Sequence, residues 1–145
     1  MVSGGGSVES FCLKSADRQA TIEFFGRLPS EAAMEIEHFM VRVTNGDLTA
    51  ATSVYAHHAD ELARFFIEMA GAWRGWHGDV VWQSLDGEMR LTSTNDRRGH
   101  ILLRIEIRSG CDDLDWSVQS GVMIEAGQLE RIAGEAVGFF TPSRG

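Results

Sequence analysis

A chain of 145 residues with 43% hydrophobic and 23% charged side chains suits one globular domain, which at that length buries roughly 68–70% of its unfolded surface. Its formal charge of −8, from 21 acidic against 13 basic residues that cluster nowhere beyond Arg97-Arg98, argues against a nucleic-acid partner and favours a basic protein. No segment approaches the roughly 20 apolar residues of a membrane span, and no basic-then-apolar leader opens the chain, so a cytoplasmic protein without membrane contact is expected.

Residues 1–8, with Gly4-Gly5-Gly6 between serines, have nothing to bury and read as a disordered tail. Apolar alternation at Phe11 and Leu13, then at Ile22 and Phe24, gives two strands joined near Asp17-Arg18. Leu28-Pro29-Ser30 interrupts the pattern, and Ser30 is placed to cap a short helical turn through Met34. Phe39, Val41 and Val43 alternate up to Asn45-Gly46, a type I′ signal that sets Val43 beside Leu48 and Val41 beside Ala50.

Residues 60–76 carry a helical stripe, Leu62, Phe65, Phe66, Met69 and Trp73, spaced three, one, three and four apart. Asp60 and Glu61 suit its N-terminal dipole end, and Gly75 its left-handed C-terminal stop, with Trp76 folding back on the last turn. The second half repeats the order. Val80 to Trp82 turns at Asp86-Gly87, which sets Trp82 opposite Leu91; Ile101, Leu103, Ile105 and Ile107 alternate; Trp116, Val118, Val122 and Ile124 follow; residues 128–140 form a second helix.

The halves also share residues, His38-Phe39-Met40-Val41-Arg42-Val43 against His100-Ile101-Leu102-Leu103-Arg104-Ile105. Strands joined by short turns become antiparallel neighbours, and two amphipathic helices need a sheet face to cover. The expected fold is α+β: a curved antiparallel sheet of six to eight strands with two helices on one face, in two pseudo-repeated ββββα halves. One domain spans residues 9–140, and residues 141–145 are a tail.

Catalytic motifs are absent: the sequence contains no G-x-S-x-G, Walker loop, G-x-G-x-x-G or H-E-x-x-H, and no catalytic residue or cofactor is assigned. His57-His58 with Asp60 and Glu61 offers metal-ligand types without a second cluster, and Asp112, Asp113 and Asp115 lack the glycine and distal glutamate of a calcium loop, so no metal is expected. Cys12 and Cys111 stand far apart without C-x-x-C spacing and read as reduced thiols. Trp73-Arg74-Gly75-Trp76-His77 differs in kind, because tryptophan and arginine dominate binding hot spots. Trp73 belongs to the buried stripe, which leaves Arg74, Trp76 and His77 as the candidate contact residues. His38, His100, Trp82 and Trp116 are the candidate lining of a pocket between sheet and helices.

Phe65-Phe66, Trp73-Arg74-Gly75-Trp76, Trp82-Gln83-Ser84-Leu85-Asp86-Gly87 and Gly99-His100 before an apolar strand resemble a family of short uncharacterised bacterial proteins, a domain of unknown function common in actinobacteria. The likeness runs from about Leu48 to Phe139. It implies a bacterial cytosolic protein and no activity. The leading expectation is a non-catalytic protein-binding module, immunity-like in its acidity and small α+β build, facing a basic protein. The alternative is a small-molecule binder or enzyme using the pocket, and a homodimer across a sheet edge is a third reading.

Overall fold

A computed structural model describes residues 9–17, 19–28, 36–56, 58–109 and 115–141. The expected N-terminal tail, the helical turn capped by Ser30, His57, Cys111 with its neighbouring aspartates, and residues 142–145 of the C-terminal tail lie outside them. The strands are β1 (Ser10–Lys14), β2 (Ala20–Leu28), β3 (His38–Asn45), β4 (Leu48–Tyr55), β5 (Asp79–Gln83), β6 (Met89–Asn95), β7 (His100–Arg108) and β8 (Ser117–Glu125). Helix α1 (Ala59–Gly71) follows β4, and α2 (Leu129–Phe140) follows β8 through a short 3-10 turn. The class is α+β, with the ββββα order in each half. The eight strands pair as two antiparallel four-stranded sheets, one to each half, in sequential order β1-β2-β3-β4 and β5-β6-β7-β8.

Period-two alternation puts Phe11, Leu13, Ile22, Phe24, Phe39, Val41 and Val43 on the inner face of the first sheet, and Met89, Leu91, Ile101, Leu103, Ile105 and Ile107 on that of the second. The helices lay Leu62, Phe65, Phe66 and Met69, and Leu129, Ile132, Ala136, Phe139 and Phe140, against the same core. Phe140 closes on three rings of the first sheet, with centroids 6.0 Å from Phe11, 5.4 Å from Phe24 and 5.4 Å from Phe39. The sheets meet where the turn after β1 reaches β8: Ala16 N–H donates to Met123 O at 2.8 Å, and Met123 N–H to Ser15 Oγ at 2.9 Å.

The hairpin β3–β4 departs from the expected register. Val43 lies opposite Ala50 and Val41 opposite Thr52, so the turn is centred on Gly46-Asp47 instead of Asn45-Gly46. The cause is β2: Ala20 pairs with Asn45, and Gly46 N–H reaches Gln19 O at 3.4 Å, holding Asn45 in the strand. Gly46 then supplies the lone positive φ, +60°, at the first central position, the type II′ pattern. The slip is two residues, an even number, so every inward side chain stays inward. In β5–β6 the expected register holds, with Trp82 opposite Leu91, although the turn is wider and only Gly87 takes a positive φ.

A bulge in β2 decides one buried charge. Pairing shifts between Phe25 and Leu28, where Gly26 has φ +63°. The extra residue reverses the facing of the strand's end, turning Arg27 inward to 9% exposure and Leu28 outward to 61%. Arg27 Nη1 donates to Gly138 O and Phe139 O at 3.3 and 3.1 Å, supplying donors to the last turn of α2, which has no basic residue of its own.

Candidate functional site

Helix α1 stops at Gly71, short of the expected end, and this reverses the roles of two tryptophans. Ala72 N–H still bonds back to Glu68 and Met69, and Gly75 N–H to Ala72 O, but the helical period has ended before residue 73. Trp73, expected in the buried stripe, is 52% exposed. Trp76, expected to fold back and also named as a contact candidate, does fold back, packs on the core and donates its indole N–H to Ser93 O at 3.4 Å. Ser93 in turn donates to Met69 Sδ at 3.0 Å, so the fold-back is anchored on α1 and β6 together. Arg74 stays exposed with its guanidinium 5.2 Å from the Trp73 ring centroid.

The loop after β6 holds this corner in place. Arg97 adopts φ +61°, the one positive φ among the described non-glycine residues, a conformation that costs roughly 1–2 kcal/mol unless its surroundings impose it. Here they do. Arg97 N–H donates to Asn95 Oδ1 at 2.6 Å, and its guanidinium lies 3.1 Å from His77 Nε2. Its aliphatic stem fills the space over Gly75, where an added Cβ would overlap Arg97 Cγ. Gly75, at φ +135°, is therefore required both for conformation and for room.

Asp96 organises the same loop. Its Oδ1 accepts from the backbone N–H groups of Arg98 at 2.7 Å and His100 at 3.1 Å, and its Oδ2 lies 3.0 Å from His100 Nδ1. The Arg98 N–H, with the His100 contacts behind it, holds the Asp96 carboxyl below the usual carboxylate range. A depressed folded value means that the support is complete above the unfolded carboxylate value of about 3.9 and is lost as the pH falls through the lower folded midpoint. An NMR titration should give Asp96 such a midpoint and show the Arg98 and His100 amide signals moving with it. A midpoint at or above the unfolded value would show that these bonds do not form.

The outcome is an exposed corner bearing Trp73, Arg74, His77, Arg97 and Arg98. Residues 73–108 hold six arginines against five acidic side chains, formally +1 within a chain of −8. Among the described residues none of Arg74, Arg97 and Arg98 has a carboxylate within ion-pair distance. In the sequence Arg97 and Arg98 stood out only as the one adjacent basic pair. The Asn95-Asp96 pair ahead of Gly99 was the available signal, since both side chains bond to backbone two residues on.

The four candidate pocket residues are not brought together. His38 pairs with Tyr55, whose N–H donates to Glu88, and Glu88 O accepts from Arg108 N–H. His100 is eight residues from Arg108 along β7, roughly 26 Å at strand spacing, so the histidines stand at opposite ends and do not line one pocket. Trp82 is half-buried against the core, and Trp116, 41% exposed, precedes β8 beside Ser109. Cys12 is a free thiol. Among the described residues, no three His, Cys, Asp or Glu side chains gather as a metal site, and no helix is long and apolar enough to cross a membrane.

The model of a family of unknown function, DUF6228, matches residues 13–143. The chain belongs to that family. The DUF6228 match takes in β2 to α2 entire together with the end of β1, a wider span than the motifs around the tryptophans. No curated protein and no solved structure matches the chain.

Proposed function

We propose that the protein is a non-catalytic binding module whose contact surface is the corner formed by residues 73–77 and 96–98. The observation that carries this reading is the exposure of Trp73 beneath Arg74 on a loop locked from behind by Trp76, Gly75 and Arg97. A large aromatic side chain kept in solvent by a rigid frame loses little entropy on docking, which favours affinity. Arg74, with Arg97 and Arg98, would meet an acidic spot on the partner, while the acidic remainder of the chain suits a partner that is basic overall. Immunity-like neutralisation of a basic protein is the finer form of this proposal.

Capture of partners from the native host tests it. The double substitution Trp73→Ala with Arg74→Ala touches two exposed side chains and should leave the circular dichroism spectrum unchanged. It should also weaken the specific partner by roughly 30-fold or more, the scale of one hot-spot residue. Retention of every partner at wild-type strength would remove the corner from consideration.

A further inference from the structure

The pseudo-repeat supplies an internal comparison. Arg42 on β3 and Arg104 on β7 occupy matching places on the third strand of their sheets, on the face away from the core. In the first sheet Arg42 is engaged within the protein. Its Nη1 meets Glu23 Oε1 at 2.7 Å, and its guanidinium lies 4.4 Å from the Phe25 ring centroid. Glu23 and Ala51 flank it in register.

In the second sheet the flanking places hold Thr92 and Gly121, and no described carboxylate lies within ion-pair distance of Arg104. Arg90 is one diagonal step away, because Thr92 faces Arg104 and Arg90 faces Glu106. It too has no ion pair among the described residues. Diagonal neighbours stand roughly 7–8 Å apart, a separation that an oxyanion between two guanidinium groups can bridge.

Gly121 has no positive φ, so conformation does not call for glycine here. Nor does space within the chain, where a Cβ would make ordinary van der Waals contact, 3.4 Å from Leu102 Cδ1 and Leu103 O. Glycine inside a strand weakens it and marks close approach of another group. Gly121 forms part of a groove of about 550 Å³, lined also by Arg90, Arg104, Thr92 and Gln119, a volume within the range of ligand sites. The lining also holds two acidic side chains, each accepting one hydrogen bond: Glu106, opposite Arg90, from Gln119 Nε2 within the groove at 3.3 Å, and Asp79 from Thr94 Oγ1 at 2.9 Å.

We infer that the outer face of the second sheet binds the oxyanion group of a small ligand, a carboxylate or a phosphate, between Arg104 and Arg90 over Gly121. The first half, with Glu23 against Arg42, has this position closed by its own carboxylate. The site is independent of the corner.

An NMR titration of the full chain with inorganic phosphate in one arm and succinate in the other tests this. Saturable shifts are expected at the Gly121 amide and the Arg104 and Arg90 Nε–H groups in at least one arm, at a Kd of about 1 mM or tighter. The arm that saturates first identifies the kind of oxyanion. Arg104→Gln should weaken binding roughly tenfold or more, and Thr92→Glu equally, by giving Arg104 the carboxylate that Arg42 already has. Arg42→Gln should leave the affinity unchanged. Failure to saturate in both arms, or wild-type affinity in folded Arg104→Gln, would overturn the inference.

Discussion

Phe24→Ala should lower the unfolding free energy by about 3–5 kcal/mol, the cost of emptying a phenylalanine site in a closed core. Phe24 is 0% exposed and sits at the meeting point of both halves, stacked on Phe11 at 5.5 Å and edge-on to Phe39 at 5.8 Å and Phe140 at 5.4 Å. Truncation removes the transfer energy of the ring and three aromatic contacts together. Because Phe24 comes from the middle of a strand paired on both sides, the backbone has little freedom to collapse into the space. Against a typical total of about 5–15 kcal/mol, the loss takes a large share of the stability. Urea unfolding followed by circular dichroism measures it. A loss below about 1 kcal/mol would mean that the ring cluster relaxes freely and does not join the sheets to the helices.

Arg27→Met should cost about 1–3 kcal/mol although it keeps the apolar stem, because the carbonyls it served lose a charged donor. Gly138 O and Phe139 O lie at the end of α2, where the helix dipole is negative, and the same guanidinium lies 5.1 Å from the Phe139 ring centroid. Arg27→Ala, which also empties the volume of the stem, should cost more. Hydrogen exchange separates the two contributions: in Arg27→Met the amides of the last turn of α2 should lose protection ahead of the strands. Unchanged protection there would show that water replaces the arginine at no cost. The Gly26 bulge makes the same prediction from the other direction, since a regular strand would have sent Arg27 outward.

What was legible in the sequence is what period and turn chemistry control. The alternation in β3 and β7, the stripe of α2 and the Asp86-Gly87 register all follow from residues close together in the chain. Asn45-Gly46 misplaced its turn because a neighbouring strand, not the dipeptide, fixed the end of β3. The tryptophans exchanged roles for a similar reason: periodicity located Trp73 on the stripe but carried no information on where α1 would stop. His38 and His100 matched in sequence, and matched positions in a repeat need not be adjacent in space. Arg27 escaped notice because its inward turn depends on a glycine bulge within a run that otherwise reads as plain alternation. The corner was half visible, in Arg74 and His77, while its other half came from a distant loop.

Phe139 and Phe140 roof the rings of β1, β2 and β3, and this sets an order of events during synthesis. The first sheet and α1 leave the ribosome long before the last helix, so Phe66 can cover Phe11 early while Phe24 and Phe39 lack Phe140 until residue 140 has emerged. The last helix therefore completes the core of the first half as well as that of the second.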